Sequence, residues 1–173
     1  MALFSRRPPR RVRAMLARDE HVLAWAPAGS STDPSAGPWV VATTLGLWLP
    51  GRTDRLGWHQ IHRAAWDAPR LTVTPSTSVG EGDGYEVMAD DVPVRVELPD
   101  PGDIPIKIRE RVTRSVVYTR HYALAGGGVR VVGRRVPGAN GLRWHVRYDD
   151  GTDGEDAEIR SATAELVAAA SSA

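Results

Sequence analysis

Four short motifs in this chain of 173 residues combine side chains that do chemistry in other proteins. They are the histidines His59 and His62, the adjacent carboxylates Asp90 and Asp91, the glycine run 126–128 and the acidic loop 149–154. Imidazoles bind transition metals, paired carboxylates perform acid–base catalysis, glycine runs approach phosphates closely, and acidic loops bind calcium. Each motif can do this chemistry only if its spacing and its structural element are suitable.

The histidine pair and the acidic loop do not meet the spacing rules of metal sites. A separation of three residues on a strand places two histidines on opposite faces, so we expect Trp58 and Ile61 to pack and the histidines to lie at a strand surface or bulge. The chain has no cysteine, which excludes thiolate ligands and cysteine nucleophiles. A calcium-loop register that starts at Asp149 places Arg160 where a bidentate glutamate is required. We therefore predict no bound metal.

The glycine run and the carboxylate pair also lack the context that their chemistry needs. Glycines of a dinucleotide-binding fingerprint follow a strand and open a helix, whereas residues 126–128 follow a predicted helix and precede a predicted strand. They indicate a flexible joint instead. Asp90 and Asp91 lie between two predicted strands, which is typical of a hairpin turn. The sequence contains neither a P-loop motif nor the G-x-S-x-G motif of hydrolases. We predict a protein that is not an enzyme and needs no cofactor.

The distribution of arginine says more about partners than these motifs do. The net charge is only +1, but residues 1–18 carry six arginines and no acid, and residues 104–147 carry ten bases and one acid. Residues 81–103 and 148–173 carry eight and seven acids, with one arginine each. Either these blocks neutralise one another in the fold, which we favour because surface charges are usually solvated or loosely paired, or they form a basic face for an anionic partner.

Two basic clusters are the candidate contacts for a partner or an anion. The candidate residues are Arg6, Arg7, Arg10, Arg11 and Arg13 near the N-terminus, and Arg130, Arg134, Arg143, His145 and Arg147 on a predicted hairpin. If residues 9–18 form a helix, Val12, Met15 and Leu16 share one small apolar face. On the second hairpin strand, alternation places Arg143, His145 and Arg147 on one face and the apolar side chains on the other.

Short strands separated by turn residues account for most of the chain. The predicted strands cover residues 21–26, 39–43, 45–49, 55–63, 64–67, 71–74, 85–88, 92–98, 129–136 and 142–149. An apolar residue at every fourth position predicts a helix over residues 103–118, and the alanine-rich C-terminus predicts a second helix. Three segments follow from this pattern: a basic N-terminal segment (1–19), a β domain with the helix (20–124), and a hairpin plus helix (125–173).

Residues 20–118 resemble a bacterial pleckstrin-homology-like domain of the kind found in uncharacterised actinobacterial proteins. The resemblance rests on the strand EHVLAWA, the pair WVVATTLGLWLP, the segments RLGWHQIHRAAWD and LTV, and the final strand and helix VRVELPDPGDIPIKIRERVTRSV. It implies an antiparallel β-sandwich or split barrel with a capping helix, which here carries a C-terminal ββα extension. Phosphoinositide-binding members use basic residues around the first loop, whereas residues 27–38 here contain no base. The resemblance therefore does not extend to headgroup binding.

We accordingly expect an α+β protein whose function is to bind or scaffold. The favoured partner is a protein or a second copy of the chain. The alternatives are weak binding to nucleic acid or peripheral contact with an anionic membrane through the arginines, and an enzyme with an unrecognised site. The N-terminus lacks the apolar region of a signal peptide or membrane span, so we expect a cytoplasmic location.

Overall fold

The computed structural model describes residues 8–29 and 37–173, which form a mixed α and β fold made mostly of strands. The helices are α1 (Arg10–Met15), α2 (Ile104–Ser115) and α3 (Ala157–Ser171), with a 3-10 turn at Trp58–Gln60. The strands are β1 (Val22–Pro27), β2 (Trp39–Thr43), β3 (Gly46–Trp48), β4 (Leu56–Gly57), β5 (Ile61–Asp67), β6 (Arg70–Gly82), β7 (Tyr85–Asp90), β8 (Val94–Glu97), β9 (Val116–Leu124), β10 (Gly127–Arg135) and β11 (Leu142–Tyr148). No helix among these residues has the length and apolar character needed to cross a membrane.

The strands form two sheets, of which the larger is curled into a half-barrel. The smaller sheet has the order β1-β2-β3-β4, and all its pairs are antiparallel. The larger sheet has the order β5-β6-β7-β11-β10-β9, and β8 also pairs with β6. The long strand β6 pairs with β5 and β8 through its first half and with β7 through its second half. The C-terminal hairpin joins this sheet because β11 pairs in parallel with β7.

Helix α2 closes the first hydrophobic core, which lies between the small sheet and strands β5, β6 and β8. Ile104 and Ile108 are fully buried in this core, and Val112 packs against it one turn later. Pro105 is tolerated because the first turn of a helix has no hydrogen-bonded N–H to lose. The apolar stripe predicted from the sequence is therefore the face that α2 buries.

A second core lies between α3 and the strands of the C-terminal hairpin. Val129, Val131 and Val146 are fully buried there, and Val167 of α3 packs on them. Asp156 caps the start of α3, and its carboxylate accepts hydrogen bonds from the backbone N–H groups of Glu158 and Ile159. This side-chain cap satisfies donors that the first turn of a helix leaves unpaired.

Several local predictions differ from the structure. Asp90 and Asp91 do not form a hairpin turn, because β7 and β8 each pair with β6 and not with one another. The helix predicted over residues 103–118 ends at Ser115, and residues 116–124 form β9, because a run of β-branched and aromatic side chains favours a strand. The strand predicted over residues 55–63 is interrupted by the 3-10 turn. Residues 126–128 do not form a loose joint: Gly126, with a φ of 78°, makes the tight turn between β9 and β10.

A buried carboxylate, which the sequence did not single out, ties the small sheet together. Glu20 accepts hydrogen bonds from the hydroxyl of Thr43 at 2.6 Å, the indole N–H of Trp48 at 3.0 Å and the guanidinium of Arg55 at 2.7 Å. The backbone N–H of Ala17 also donates to it. Burial alone would raise the pKa of Glu20, but these hydrogen bonds and the Arg55 charge together lower it. The charged form is therefore the one that the fold stabilises.

Candidate functional site

The pairing of β10 with β11 brings the predicted arginines of the hairpin onto one face. Arg130 lies opposite Arg147, and Arg134 lies opposite Arg143, with His145 between the two pairs. Directly opposed residues of an antiparallel pair point to the same side of the sheet, so these five side chains form a single surface, here called the basic face. The opposite side of the hairpin carries the valines that pack under α3.

The predicted N-terminal arginines belong to a separate element. Arg10, Arg11 and Arg13 lie on α1 with exposed side chains, and Val12 anchors this short helix by its buried side chain. Met15 is half exposed rather than packed. The remaining candidates of this cluster, Arg6 and Arg7, lie outside the described residues. The structure therefore brings the five hairpin residues onto one face, whereas the α1 arginines lie on a separate helix and are not part of that face.

Two acids of strand β7 lie against the basic face. Because β7 and β11 pair in parallel, Glu86 lies beside His145, and its Oε2 is 3.3 Å from the histidine Nε2. The same carboxylate is 4.0 Å from Arg143. Asp90 contacts Arg147 at 2.6 Å. The acidic block that the sequence places at residues 81–103 thus supplies partners to part of the basic face. Sequence spacing could not show this, because the approach depends on how two distant strands pair.

Arg134 is one of two cations of the basic face, with Arg130, that these acids do not reach. Only 8% of it is exposed, and its guanidinium donates a hydrogen bond of 2.8 Å to the hydroxyl of Ser115 at the end of α2. No carboxylate in the described part of the chain lies within ion-pair distance of it. Burial, followed by the charge of Arg147, lowers the pKa of Arg134. A buried charge without a counter-ion is unfavourable, so this position is suited to an incoming anion.

The histidines near Arg134 are neutral at physiological pH. Burial, followed by the charges of Arg134, Arg143 and Arg147, lowers the pKa of His145 to about 4. Burial and the neighbouring His145 lower the pKa of His59 to about 4 as well. The positive charge of the basic face therefore comes from the arginines. Neutral imidazoles beside them can still donate one hydrogen bond each.

His59 and His62, which were considered above as possible metal ligands, lie in different elements: His59 in the 3-10 turn and His62 in β5. His59 lies on the 3-10 turn, and its Nδ1 atom is buried without a hydrogen-bond partner. His62 lies at the register shift near the start of β5 and contacts the carboxylate of Asp90, so the expected position at a bulge is confirmed. Burial and then the charge of Arg147 lower the pKa of His62, and these two effects outweigh Asp90.

A cavity of about 280 Å³ lies next to His59. Arg55, His59 and Gln60 line one side, and residues 136–138 of the β10–β11 turn line another. Within the described ranges, no group of three or more histidine or acidic side chains is arranged to hold a metal ion. The basic face thus offers positive charge and N–H donors, whereas the cavity is lined by both an acid, Asp19, and a base, Arg55.

Comparison with known proteins gives no relative for this chain. No family model matches it, and no curated protein or solved structure is significantly similar to it.

Proposed function

We propose that this protein is a non-catalytic binding module of the pleckstrin-homology-like kind, and that its basic face recognises an acidic segment of a partner protein. The observation that carries the proposal is the pair of opposed arginines, Arg130 with Arg147 and Arg134 with Arg143, together with the burial of Arg134 without a carboxylate. The internal acids satisfy Arg147 and approach Arg143, which leaves Arg130 as the exposed cation available to a ligand and Arg134 as a buried charge on the same face.

The electrostatics of the opposed pairs favour an anionic ligand. Like charges directly opposite one another in a sheet cost about 0.2–1 kcal/mol per pair, and the cost falls when a counter-ion lies between them. Carboxylates suit this position because the planar guanidinium of arginine can donate two parallel hydrogen bonds to one carboxylate. A segment rich in Asp or Glu would supply such groups at the spacing of successive residues.

The absence of aromatic rings on the basic face, among the residues described, favours a protein ligand over a nucleic acid. Trp144 and Tyr148 of β11 belong to the core under α3, on the other side of the sheet. Proteins that bind single-stranded nucleic acid commonly stack bases on exposed aromatic side chains. Without such a platform, binding to DNA or RNA would depend on phosphate contacts alone and would weaken steeply with salt.

The order of the elements supports the pleckstrin-homology-like assignment. The four-stranded sheet β1–β4 comes first, strands β5–β8 follow in the second sheet, and α2 then packs between them. This arrangement of antiparallel strands followed by a capping helix is the one that the sequence resemblance implies. A fold does not fix a function, so the proposal depends on the charges of the basic face.

Titration of a fluorescent acidic peptide tests this function. A twelve-residue peptide of alternating Asp and Val is added to the full chain in 0.1 M salt, and its fluorescence anisotropy is measured. We expect saturable binding that weakens at least tenfold in the variant Arg130→Glu/Arg143→Glu. The control variant Arg95→Glu/Arg109→Glu makes the same charge change at exposed positions away from the basic face.

Two outcomes of this titration contradict the proposal. Equal weakening in both double variants would show that net charge, and not the basic face, attracts the peptide. Submicromolar binding to a DNA duplex at physiological salt, lost in the Arg130→Glu/Arg143→Glu variant, would identify nucleic acid as the ligand instead.

A further inference from the structure

Strand β9 forms one end of the large sheet, and its outer edge is not paired with any strand of the described residues. The strand is nine residues long and contains neither proline nor glycine. Five of its side chains are exposed, and they are Val117, Thr119, Arg120, His121 and Ala123. The backbone N–H and C=O groups that point away from β10 are therefore open to a further strand.

Natural sheets usually protect such an edge by a bulge, a proline, a very short strand or several charges. The register shift in this hairpin lies between Gly133 and Arg134 of β10, on the inner side of β9. Arg120 is the single arginine, lysine or acidic residue of β9, and it lies over the ring of Tyr122 at 5.0 Å. Its neighbour His121 contacts the carboxylate of Asp149 at 2.7 Å. The edge is thus long and weakly protected, with the positive charge of Arg120 at its centre.

The charge of Arg120 discriminates between the two simplest occupants of this edge. A second copy of the chain, paired antiparallel over the whole of β9, would place Arg120 opposite the same arginine of the other copy. Like charges in that position are destabilising. An acidic strand would instead be attracted to this edge. Its acids would face Arg120 on one side of the sheet and the nearby Arg130 of β10 on the other. Arg130 is paired with His121 of β9, so it lies within one strand of the open edge.

We propose, building on the proposed function, that the acidic segment of the partner binds as an additional extended strand along the outer edge of β9. Main-chain hydrogen bonds to β9 supply part of the affinity, as in other cases of strand addition. Alternate side chains of the added strand point to opposite faces of the sheet. One set of acids therefore lies on the side of the basic face, towards Arg130, and the other set lies beside Arg120.

Backbone methylation of the peptide separates strand addition from simple charge attraction. Three versions of the Asp–Val peptide are compared: unmodified, N-methylated at the odd amides, and N-methylated at the even amides. All three carry the same charges. We expect one methylated version to bind at least tenfold more weakly than the unmodified peptide, because it loses several main-chain hydrogen bonds. The other version should bind within about threefold of the unmodified peptide.

Hydrogen exchange gives a second, independent measurement. Saturation with the unmodified peptide should slow amide exchange at alternate residues of β9. The acids of the Asp–Val peptide all point to one face of an extended strand, which we expect to be the side of the basic face. Arg130→Glu should therefore weaken binding at least threefold, whereas Arg109→Glu on α2 should leave it unchanged. Equal affinity of all three peptides, with no new protection in β9, would overturn strand addition while leaving the proposed function in place. Failure of every peptide to bind would instead reject both.

The oligomeric state of the protein tests whether a second copy of the chain, and not an acidic strand, pairs with the outer edge of β9. Analytical ultracentrifugation of the full chain at increasing concentration should show a monomer. A dimer that the unmodified peptide dissociates would mean that β9 pairs with a second copy of the chain, and this result would overturn the proposal.

Discussion

The guanidinium of Arg134 and the hydroxyl of Ser115 form a hydrogen bond of 2.8 Å that ties the basic face to the end of helix α2. The Ser115 hydroxyl also donates to the carbonyl of Val112 at 2.7 Å, so it does not depend on Arg134 for a partner. Arg134 is thus held in place by a neutral group, at a position where a structural arginine would be expected to have a carboxylate.

Replacing Arg134 with methionine should leave the stability unchanged or raise it, and should lower the affinity for the acidic peptide. An apolar side chain of similar length removes a buried charge that lacks a counter-ion, and such changes are neutral or stabilising by about 1–4 kcal/mol. We expect urea unfolding to show no loss of stability in Arg134→Met, while affinity for the acidic peptide falls at least tenfold. A loss of more than about 2 kcal/mol would instead assign Arg134 a role in holding the fold.

The stability of the protein should decrease as the pH falls from about 6.5 towards 4, because of His145. The unfolded chain takes up a proton on this histidine near pH 6.5, whereas the folded protein, with a pKa of about 4, does not. The folded state is therefore penalised progressively below pH 6.5, by about 3 kcal/mol in total for this one group. The charged groups that face His145 are Arg134, Arg143, Arg147 and Glu86.

A glutamine at position 145 should flatten this pH dependence. Urea unfolding of His145→Gln, measured at half-unit intervals from pH 4 to 7, should show a smaller slope than that of the unchanged protein. His121→Gln alters an exposed histidine of β9 in the same sheet and is the matched control. If the two variants have the same slope, the protonation of His145 does not limit stability in this range.

Glu20→Gln should destabilise the small sheet by about 3 kcal/mol, because it leaves Arg55 without its carboxylate in a partly buried position. The lowered pKa of Glu20 also gives a pH effect with a definite sign. Its contribution is complete above the ordinary pKa of a glutamate and is lost as the pH falls through the lowered value. Thermal unfolding at pH 7 and pH 3 measures both effects, with the exposed Glu165→Gln as control. Equal stability of the two variants at pH 7 would contradict this role.

Truncating the two tryptophans near Glu20 should have unequal effects. Trp58 is 3% exposed, and its indole N–H donates to the carbonyl of Thr43, so Trp58→Ala should cost about 3–5 kcal/mol. Trp48 is only half-buried, so Trp48→Ala should cost less, and part of that cost comes from the lost hydrogen bond to Glu20. Guanidinium unfolding that gives equal losses would be inconsistent with these environments.

Local patterns in the sequence were sufficient for much of the fold. Strand β2 occupies the residues that its apolar run predicts, and the alternation in β11 places Arg143, His145 and Arg147 on one face. The half-burial of Trp48 was not predictable in this way, because it depends on which side of β3 the neighbouring elements cover.

The part of the candidate site that the sequence did not predict comes from non-local pairing. Glu86 and Asp90 meet the basic face because β7 lies parallel to β11, although the paired residues of the two strands are 59 positions apart in the sequence. Ser115 reaches Arg134 because α2 ends earlier than its apolar periodicity suggests. His59 lies near this cluster because a 3-10 turn interrupts a run that reads as a strand. Each case depends on tertiary packing that overrides a local preference.

Strand β6 pairs with β5 and β8 through its first half and with β7 through its second half. It therefore couples the basic face to the first core. Val73, in the first half of this strand, is fully buried, and Ser76, three residues later, contacts Arg147 through its hydroxyl. A shift of one residue in the pairing of β6 would turn Val73 away from the core and would move Ser76 to the opposite side of the sheet. Selection for a well-packed core therefore also maintains the position of Ser76 beside Arg147, and substitutions far from the basic face can alter binding without touching the ligand.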